Sequence, residues 1–158
     1  MTNTKIISNL NFANIFDFNI YTRNLSIDKQ IVILQLNACS FLNLNRFDYI
    51  KQLFDFIEIT VDIAIFSETW LKNNICRFYN LSGFQSFFTN RDDKKGGGLV
   101  VYIRNNIKCN LLSKRNDLIF NIWLEIIDLS IDFKKFYIGA YYRPPNSKKN
   151  NFLKCFRK

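Results

Sequence analysis

The stretch that decides the fold runs from Ile31 to Phe66 and reads IVILQLNACSFLNLNRFDYIKQLFDFIEITVDIAIF. It begins with one apolar run rich in β-branched residues, Ile31 to Leu36, and ends with another, Val61 to Phe66, and both runs are typical of buried strands. From Arg46 to Glu58, apolar side chains recur at spacings of three and four, which predicts an amphipathic helix. These side chains are Phe47, Ile50, Leu53, Phe54 and Ile57.

A strand, a helix and a second strand in this order predict a βαβ unit and therefore an α/β fold class. Such a unit joins two parallel strands by a right-handed crossover. Asn37 and Glu68 come just after the two predicted strands, so we expect both at the same edge of the sheet. Ligands bind at this edge in open α/β sheets.

The remainder of the chain predicts four further strands, over residues 83–89, 99–103, 118–127 and 135–142. The first two flank a charged turn and the triplet Gly96-Gly97-Gly98, which indicates an antiparallel pair joined by an exposed loop. Pro144-Pro145 ends the last strand, because proline cannot donate to a ladder. Residues 1–30 show no clear period, and we treat them as a poorly specified leader.

The chain contains no histidine among its 158 residues. This excludes a Ser-His-Asp triad, a Cys-His pair and an HExxH zinc site, because each of them needs an imidazole. Any chemistry must rely on carboxylates, amides, hydroxyls or a bound metal. The length fits one domain, and the content of 17 Phe, 7 Tyr and 2 Trp indicates a folded chain.

The formal net charge is +9, from 22 Lys and Arg against 13 Asp and Glu. Much of the excess lies at the end of the sequence, where residues 143–158 carry six basic residues and no acid. We read residues 148–158 as a basic tail. The excess favours a polyanionic partner such as nucleic acid.

The four cysteines, at positions 39, 76, 109 and 155, form no CxxC pair, which is typical of a reduced, intracellular protein. No apolar run approaches the roughly 18 residues of a membrane span, and the first residues lack a signal-peptide pattern. We therefore expect no membrane partner and a location in the nucleus or cytoplasm.

Two polar residues at the predicted sheet edge are candidates for chemistry. Glu68 either ends its strand as an ordinary charged residue or serves as a ligand for Mg²⁺, which prefers carboxylate oxygen and keeps several waters. Asn37 either forms a turn or orients the neighbouring carboxylate or a phosphate oxygen.

The other candidates have simpler interpretations. Gly96-Gly98 lacks the spacing of a phosphate-binding loop and precedes a strand, so we read it as relief of crowding where the loop enters that strand. Arg91, Lys94 and Lys95 are read as a solvated turn, with a phosphate contact as the alternative. The tyrosine cluster at 137, 141 and 142 is read as sheet packing.

Five motifs follow one another in order: LNA at 36–38, SETWL at 67–71, GF at 83–84, Arg91 with GGGLVVY at 96–102, and YRPPNS at 142–147. This succession resembles the endonuclease domain of non-LTR (LINE-type) retrotransposons. That domain belongs to the endonuclease/exonuclease/phosphatase superfamily, together with DNase I and exonuclease III. The resemblance covers residues 31–147.

The resemblance implies part of a four-layer α/β sandwich of the DNase I type, with a mixed sheet and a flanking helix, that nicks DNA with Mg²⁺. Asn37 matches the asparagine after the first strand, Glu68 the metal-binding glutamate, and Tyr142 the tyrosine that helps to hold the scissile phosphate. DNA is the implied partner and Mg²⁺ the implied cofactor.

The sequence departs from the family in its second half. The family's Asp-x-Asn motif and its later Asp-His pair, which gives the general base, have no counterpart here. We therefore expect a truncated endonuclease domain with negligible DNA cleavage. We also expect one apolar sheet face without its cover, and self-association through that face.

Two other readings remain open. One is a non-catalytic nucleic-acid-binding fragment that uses the basic tail. The other keeps the superfamily but replaces DNA with a phosphoinositide or a sphingolipid as substrate, and the YRPPNS stretch favours the retrotransposon branch over it.

Overall fold

A computed structural model describes residues 5–8, 31–43, 45–57, 60–116, 119–128 and 134–145. Within these ranges the chain forms eight strands, one α-helix and one 3-10 helix. The strands are β1 (Lys5–Ser8), β2 (Val32–Asn37), β3 (Ile63–Ser67), β4 (Phe84–Thr89), β5 (Leu99–Arg104), β6 (Lys108–Arg115), β7 (Phe120–Asp128) and β8 (Lys134–Tyr142). The helix α1 spans Arg46–Phe56, and the 3-10 helix spans Cys76–Tyr79.

The larger sheet is mixed and has the strand order β1-β2-β3-β5-β4. Strands β1, β2 and β3 are parallel, and β5 runs antiparallel to both β3 and β4. The predicted parallel pairing within the βαβ unit is confirmed, and so is the predicted antiparallel pair that flanks the glycine triplet. In the register of β2 and β3, Asn37 lies opposite Ser67, which brings the two strand ends side by side.

The smaller sheet contains β6, β7 and β8, all antiparallel. Alternate residues of β7 point towards the larger sheet and are fully buried, as their period of two predicted: Phe120, Ile122, Leu124 and Ile126. They pack against apolar residues of the larger sheet such as Ile63, Val101 and Ile103.

The opposite face of the larger sheet packs against α1 and the loops that follow β2 and β3. Ile50 of α1 and the loop residues Phe41 and Leu71 join the buried residues of this core. Tyr102 is fully buried there, and burial raises the pKa of its phenol above the ordinary value. The predicted α/β class, with a mixed sheet and a flanking helix, is therefore confirmed.

The expectation of an apolar sheet face without its cover is wrong for the larger sheet. One face is covered by α1 and its neighbouring loops, and the other by the smaller sheet. Ile33, Ile63 and Val101 on the second face are at most 8% exposed. Within the described residues, the larger sheet therefore has no uncovered apolar face through which the chain could self-associate.

Two strands were not predicted. Residues 5–8 belong to the segment treated as a leader, yet they form β1 and pair with β2. Strand β6 was missed because seven of its eight residues are exposed, so it has no apolar alternation. Elsewhere the predicted boundaries differ from those of the structure by at most two residues. Strand β3 begins at Ile63, although Asp62 still bonds to both neighbouring strands: its backbone N–H donates to the Val32 carbonyl at 3.0 Å, and its carbonyl accepts from the Arg104 N–H at 2.9 Å. Glu58 lies outside the described residues.

Trp123 and Tyr141 pack together on the outer face of the smaller sheet. The indole of Trp123 lies across Gly139 on the neighbouring strand, where an added Cβ would stand 2.8 Å from the ring. The Trp123 indole N–H donates to the hydroxyl of Tyr141 at 2.5 Å. The interpretation of the tyrosines as sheet packing holds for Tyr141, whereas Tyr137 is 59% exposed.

The same outer face carries a polar ladder centred on Glu125. Its carboxylate accepts hydrogen bonds from the Asn110 amide at 2.9 Å and from the Lys135 ammonium at 3.0 Å. The hydrogen bond from Asn110 and then that from Lys135 hold the pKa of the Glu125 carboxyl below its ordinary value. In the described part of the chain, no helix is long and apolar enough to cross a membrane.

Candidate functional site

Asn37 and Glu68 lie at the same edge of the larger sheet, as their positions after β2 and β3 predicted. The two chain segments continue side by side past the strands, because Ala38, Ser40 and Phe41 donate backbone hydrogen bonds to residues 67–69 at 2.7 to 2.8 Å. The Asn37 side chain is exposed and turns into its own loop. Its Oδ1 accepts from the backbone N–H of Cys39 at 3.0 Å, which forms an Asx turn.

The Glu68 carboxylate is half-buried and receives hydrogen bonds from three separate parts of the chain. Its Oε2 accepts from the backbone N–H of Gly97 at 2.8 Å and from the indole N–H of Trp70. Its Oε1 accepts from the hydroxyl of Tyr142. These contacts fix the orientation of the carboxylate and join the two sheets at this edge.

Tyr142 reaches Glu68 from the end of β8, on the smaller sheet. Its backbone pairs with Phe120 of β7, and the centroids of the two rings are 6.2 Å apart. Spacing along the sequence gives no indication of this contact, since the two residues are 74 positions apart. Only the family resemblance placed Glu68 and Tyr142 in one site.

The first two glycines of the triplet adjoin the Glu68 carboxylate, and the third lies against Thr69. All three glycines have positive φ, of 91°, 78° and 89° in chain order. A Cβ at Gly97 would stand 2.8 Å from the Phe120 ring, and one at Gly98 would stand 2.4 Å from Thr69 Oγ1. Relief of crowding therefore explains the triplet in part, but the Gly97 amide also binds the carboxylate, a role that the sequence did not indicate.

The backbone around Glu68 is strained. Glu68 has a φ of 55° and Trp70 a φ of 59°, both in the left-handed region that residues with a Cβ rarely adopt. Such a conformation costs on the order of 1–3 kcal/mol and persists where the surroundings hold it. Here the Trp70 amide donates to the carbonyl of Gly97 at 2.9 Å. Strain of this kind clusters at functional sites.

Arg46 is a further residue near this edge that the sequence did not single out. Its guanidinium extends from the first turn of α1 and donates to the carbonyls of Ala38, at 3.0 Å, and of Cys39. It therefore ties the helix to the loop that carries Asn37. The sequence showed it only as the first residue of an amphipathic helix.

The donor set at Glu68 fits a magnesium ion held by one protein carboxylate and water. A carboxylate offers about four lone pairs. The two donors at Oε2 and the one at Oε1 leave one lone pair of Oε1 available. Magnesium often takes only one or two carboxylates. Among the residues that the structure describes, no group of three or more acidic, histidine or cysteine side chains could hold a metal ion.

The basic residues of the turn before the glycine triplet separate into two sets. Arg91 pairs with Asp93 at 3.5 Å, and its guanidinium lies 5.7 Å from the centre of the Phe120 ring. Lys94 and Lys95 are exposed and line a cleft beside Glu68. The solvated-turn interpretation therefore agrees with the exposure of both lysines.

Comparison with known proteins gives no assignment. No protein-family model matches the chain, and no curated protein matches it at a significant level. The class that the fold and the site define is therefore a mixed α/β domain with a carboxylate site at the carboxyl edge of its larger sheet.

Proposed function

We propose that residues 31–147 form the N-terminal part of a magnesium-dependent DNA endonuclease domain of the LINE type, within a four-layer DNase I-like sandwich. The observation that supports this most is the contact between Glu68 and Tyr142. The resemblance assigns both residues to one site, and their side chains meet although they belong to different sheets.

In this proposal Glu68 is the protein ligand of Mg²⁺. When bound, the metal supplies Lewis-acid polarisation of a phosphodiester oxygen. Gly97 and Trp70 keep the Glu68 carboxylate in place through Oε2. Asn37 orients a phosphate oxygen at the same edge. The Tyr142 hydroxyl, which donates its one proton to Glu68 in this structure, would turn from the carboxylate and donate to the scissile phosphate.

We propose that this polypeptide binds Mg²⁺ and DNA but does not cleave DNA efficiently. The 158 residues contain no histidine, so the general base that the family draws from its Asp-His pair has no equivalent here. Loss of one member of a catalytic unit costs several orders of magnitude in rate.

Magnesium binding tests the role of Glu68 directly. We expect isothermal titration calorimetry to detect binding of Mg²⁺ by the wild-type chain and by Glu125→Gln, which removes a carboxylate from the outer face of the smaller sheet. We expect Glu68→Gln to lose this binding. Thermal melting monitors the fold of both variants, and unchanged binding by a folded Glu68→Gln variant would contradict the proposal.

A plasmid-nicking assay with Mg²⁺ tests the expected lack of cleavage. We expect no more nicking than in a protein-free control. Strong nicking that Glu68→Ala abolishes would overturn the proposed inactivity, while supporting the site assignment.

A non-catalytic nucleic-acid-binding role is the second candidate, and the six basic residues between 143 and 158 favour it. It predicts DNA binding that weakens steeply with salt and is unchanged by Glu68→Gln. Deletion of residues 148–158 abolishes binding under this alternative, whereas under the first proposal the Mg²⁺-dependent part remains.

A further inference from the structure

A cleft of about 650 Å³ opens beside the Glu68 carboxylate, between the loops that follow β2 and β3 and the turn at 92–96. Two of its lining residues, Trp70 and Gly96, also adjoin the carboxylate. The Trp70 indole N–H donates to Oε2, and a Cβ built on Gly96 would stand 3.8 Å from the same oxygen. The cleft therefore lies directly next to the Glu68 carboxylate, with Trp70 and Gly96 between them.

Three lysines give the cleft its charge: Lys72, Lys94 and Lys95, all exposed. Across the described ranges, none of their ammonium groups forms an ion pair. The two acids in the lining are already engaged. Asp92 accepts from the backbone N–H of Asn73 at 2.9 Å and from its side-chain amide, and Asp93 pairs with Arg91.

Trp70 forms an aromatic wall of this cleft and is held in place. Its indole N–H is bound to Glu68, and its backbone N–H is bound to the Gly97 carbonyl. The ammonium of Lys95 lies 5.3 Å from the centre of its ring. A fixed aromatic ring next to unpaired cations is the combination that binds nucleotides, since the ring stacks with a base and the cations contact phosphate.

We propose that this cleft binds the nucleotide next to the phosphodiester group at Glu68. Lys94 and Lys95 contact its phosphate, and Trp70 contacts its base. Gly96 keeps the passage between the carboxylate and the cleft free of a side chain. The inference rests on the proposed function for the identity of the group at Glu68, but the cleft is testable without magnesium.

The test uses the fluorescence of Trp70 in a Trp123→Phe background, in which Trp70 is the only tryptophan. The probe is the single-stranded oligonucleotide dT8, titrated in EDTA at several salt concentrations. The double variant Lys94→Gln/Lys95→Gln is compared with Lys108→Gln/Lys114→Gln, a matched pair of exposed lysines on β6. Each pair lowers the net charge by the same amount.

We expect dT8 to quench Trp70, and the cleft variant to bind it more weakly than the matched pair does. Each phosphate contact on a single strand contributes about 0.7 to the slope of log K against log salt, so two lost contacts lower the slope by about 1.4. At 0.1 M salt, this corresponds to about 25-fold weaker binding, relative to a 1 M reference. The matched pair should change the slope little.

Absence of quenching, or equal loss of affinity in the two lysine pairs, would overturn the inference. Lys94→Arg/Lys95→Arg keeps both charges and should restore binding, which separates a charge effect from damage to the loop. If Mg²⁺ does not bind at Glu68 while the lysine effect in EDTA persists, the proposed nuclease function fails and the cleft stands. If Mg²⁺ binds at Glu68 but the two pairs of lysine substitutions weaken dT8 binding equally, the proposed role of the cleft fails and the proposed nuclease function stands.

Discussion

Substitution of Gly97 by alanine tests whether the glycine turn is built around the Glu68 carboxylate. Gly97 has a φ of 78°, where a residue with a Cβ costs about 1–2 kcal/mol. The new Cβ would also stand 2.8 Å from two ring atoms of Phe120, which is fully buried. Overpacking of this kind costs about 1–3 kcal/mol. Together these effects predict a loss of about 2–5 kcal/mol from a total of about 5–15 kcal/mol for a typical domain.

Equilibrium urea unfolding measures this loss, and Gly83→Ala is its control. Gly83 has a nearly identical φ of 81°, but a Cβ there meets nothing within 4 Å. The control should therefore lose only the backbone part, about 1–2 kcal/mol. Equal destabilisation by the two variants would show that Phe120 yields without cost and would refute the steric reasoning.

Three further predictions concern individual side chains. Tyr142→Phe removes a hydroxyl donor from a carboxylate and should lower the free energy of urea unfolding by about 1.5–3 kcal/mol. A double-mutant cycle with Glu68→Gln should assign this loss to the interaction between the two side chains. Additive effects of the two substitutions would contradict the contact. Burial raises the pKa of the Cys109 thiol, so iodoacetamide should label Cys109 more slowly at pH 8 than the exposed Cys39. Mass spectrometry of the labelled chain measures the two rates. Faster labelling of Cys109 would argue against its burial. The pKa of the Glu125 carboxyl is lowered from 4.5 in the folded state, so the stability that this carboxylate contributes is present above pH 4.5 and is lost as the pH falls through the folded pKa. In Glu125→Gln, the free energy of unfolding, measured by urea at a series of pH values, should therefore depend less on pH in this acid range. A pH dependence equal to that of the wild type would refute the assignment.

The βαβ unit was predictable from the sequence because its signals are local. The period of α1 and the two apolar runs around it lie within one continuous stretch, and a right-handed crossover then leaves little choice of arrangement. Strand β6 was not predictable, because its exposed residues are ordered by the ladder with β7, which tolerates an irregularity between Leu111 and Ser113. Strand β1 likewise depends on parallel pairing with β2.

The candidate site was predictable only where its residues follow from the local strand pattern. The ends of two parallel strands placed Asn37 and Glu68 at one edge without any knowledge of the rest of the chain. The donors to Glu68 were not predictable from spacing, because Gly97 and Tyr142 reach it from a turn and from a different sheet. The side chain of Asn37 also bonds within its own loop, a local choice that strand position does not determine.

The distribution of the Glu68 donors along the chain has a consequence for the order of folding. Asn37 and Glu68 belong to the βαβ unit, which is synthesised early, but the hydroxyl of Tyr142 belongs to the last strand described, 74 residues after Glu68. Contacts that close such long loops form late, because their entropy must be overcome before they stabilise anything. The full set of donors to the Glu68 carboxylate therefore exists only after β8 has joined its sheet.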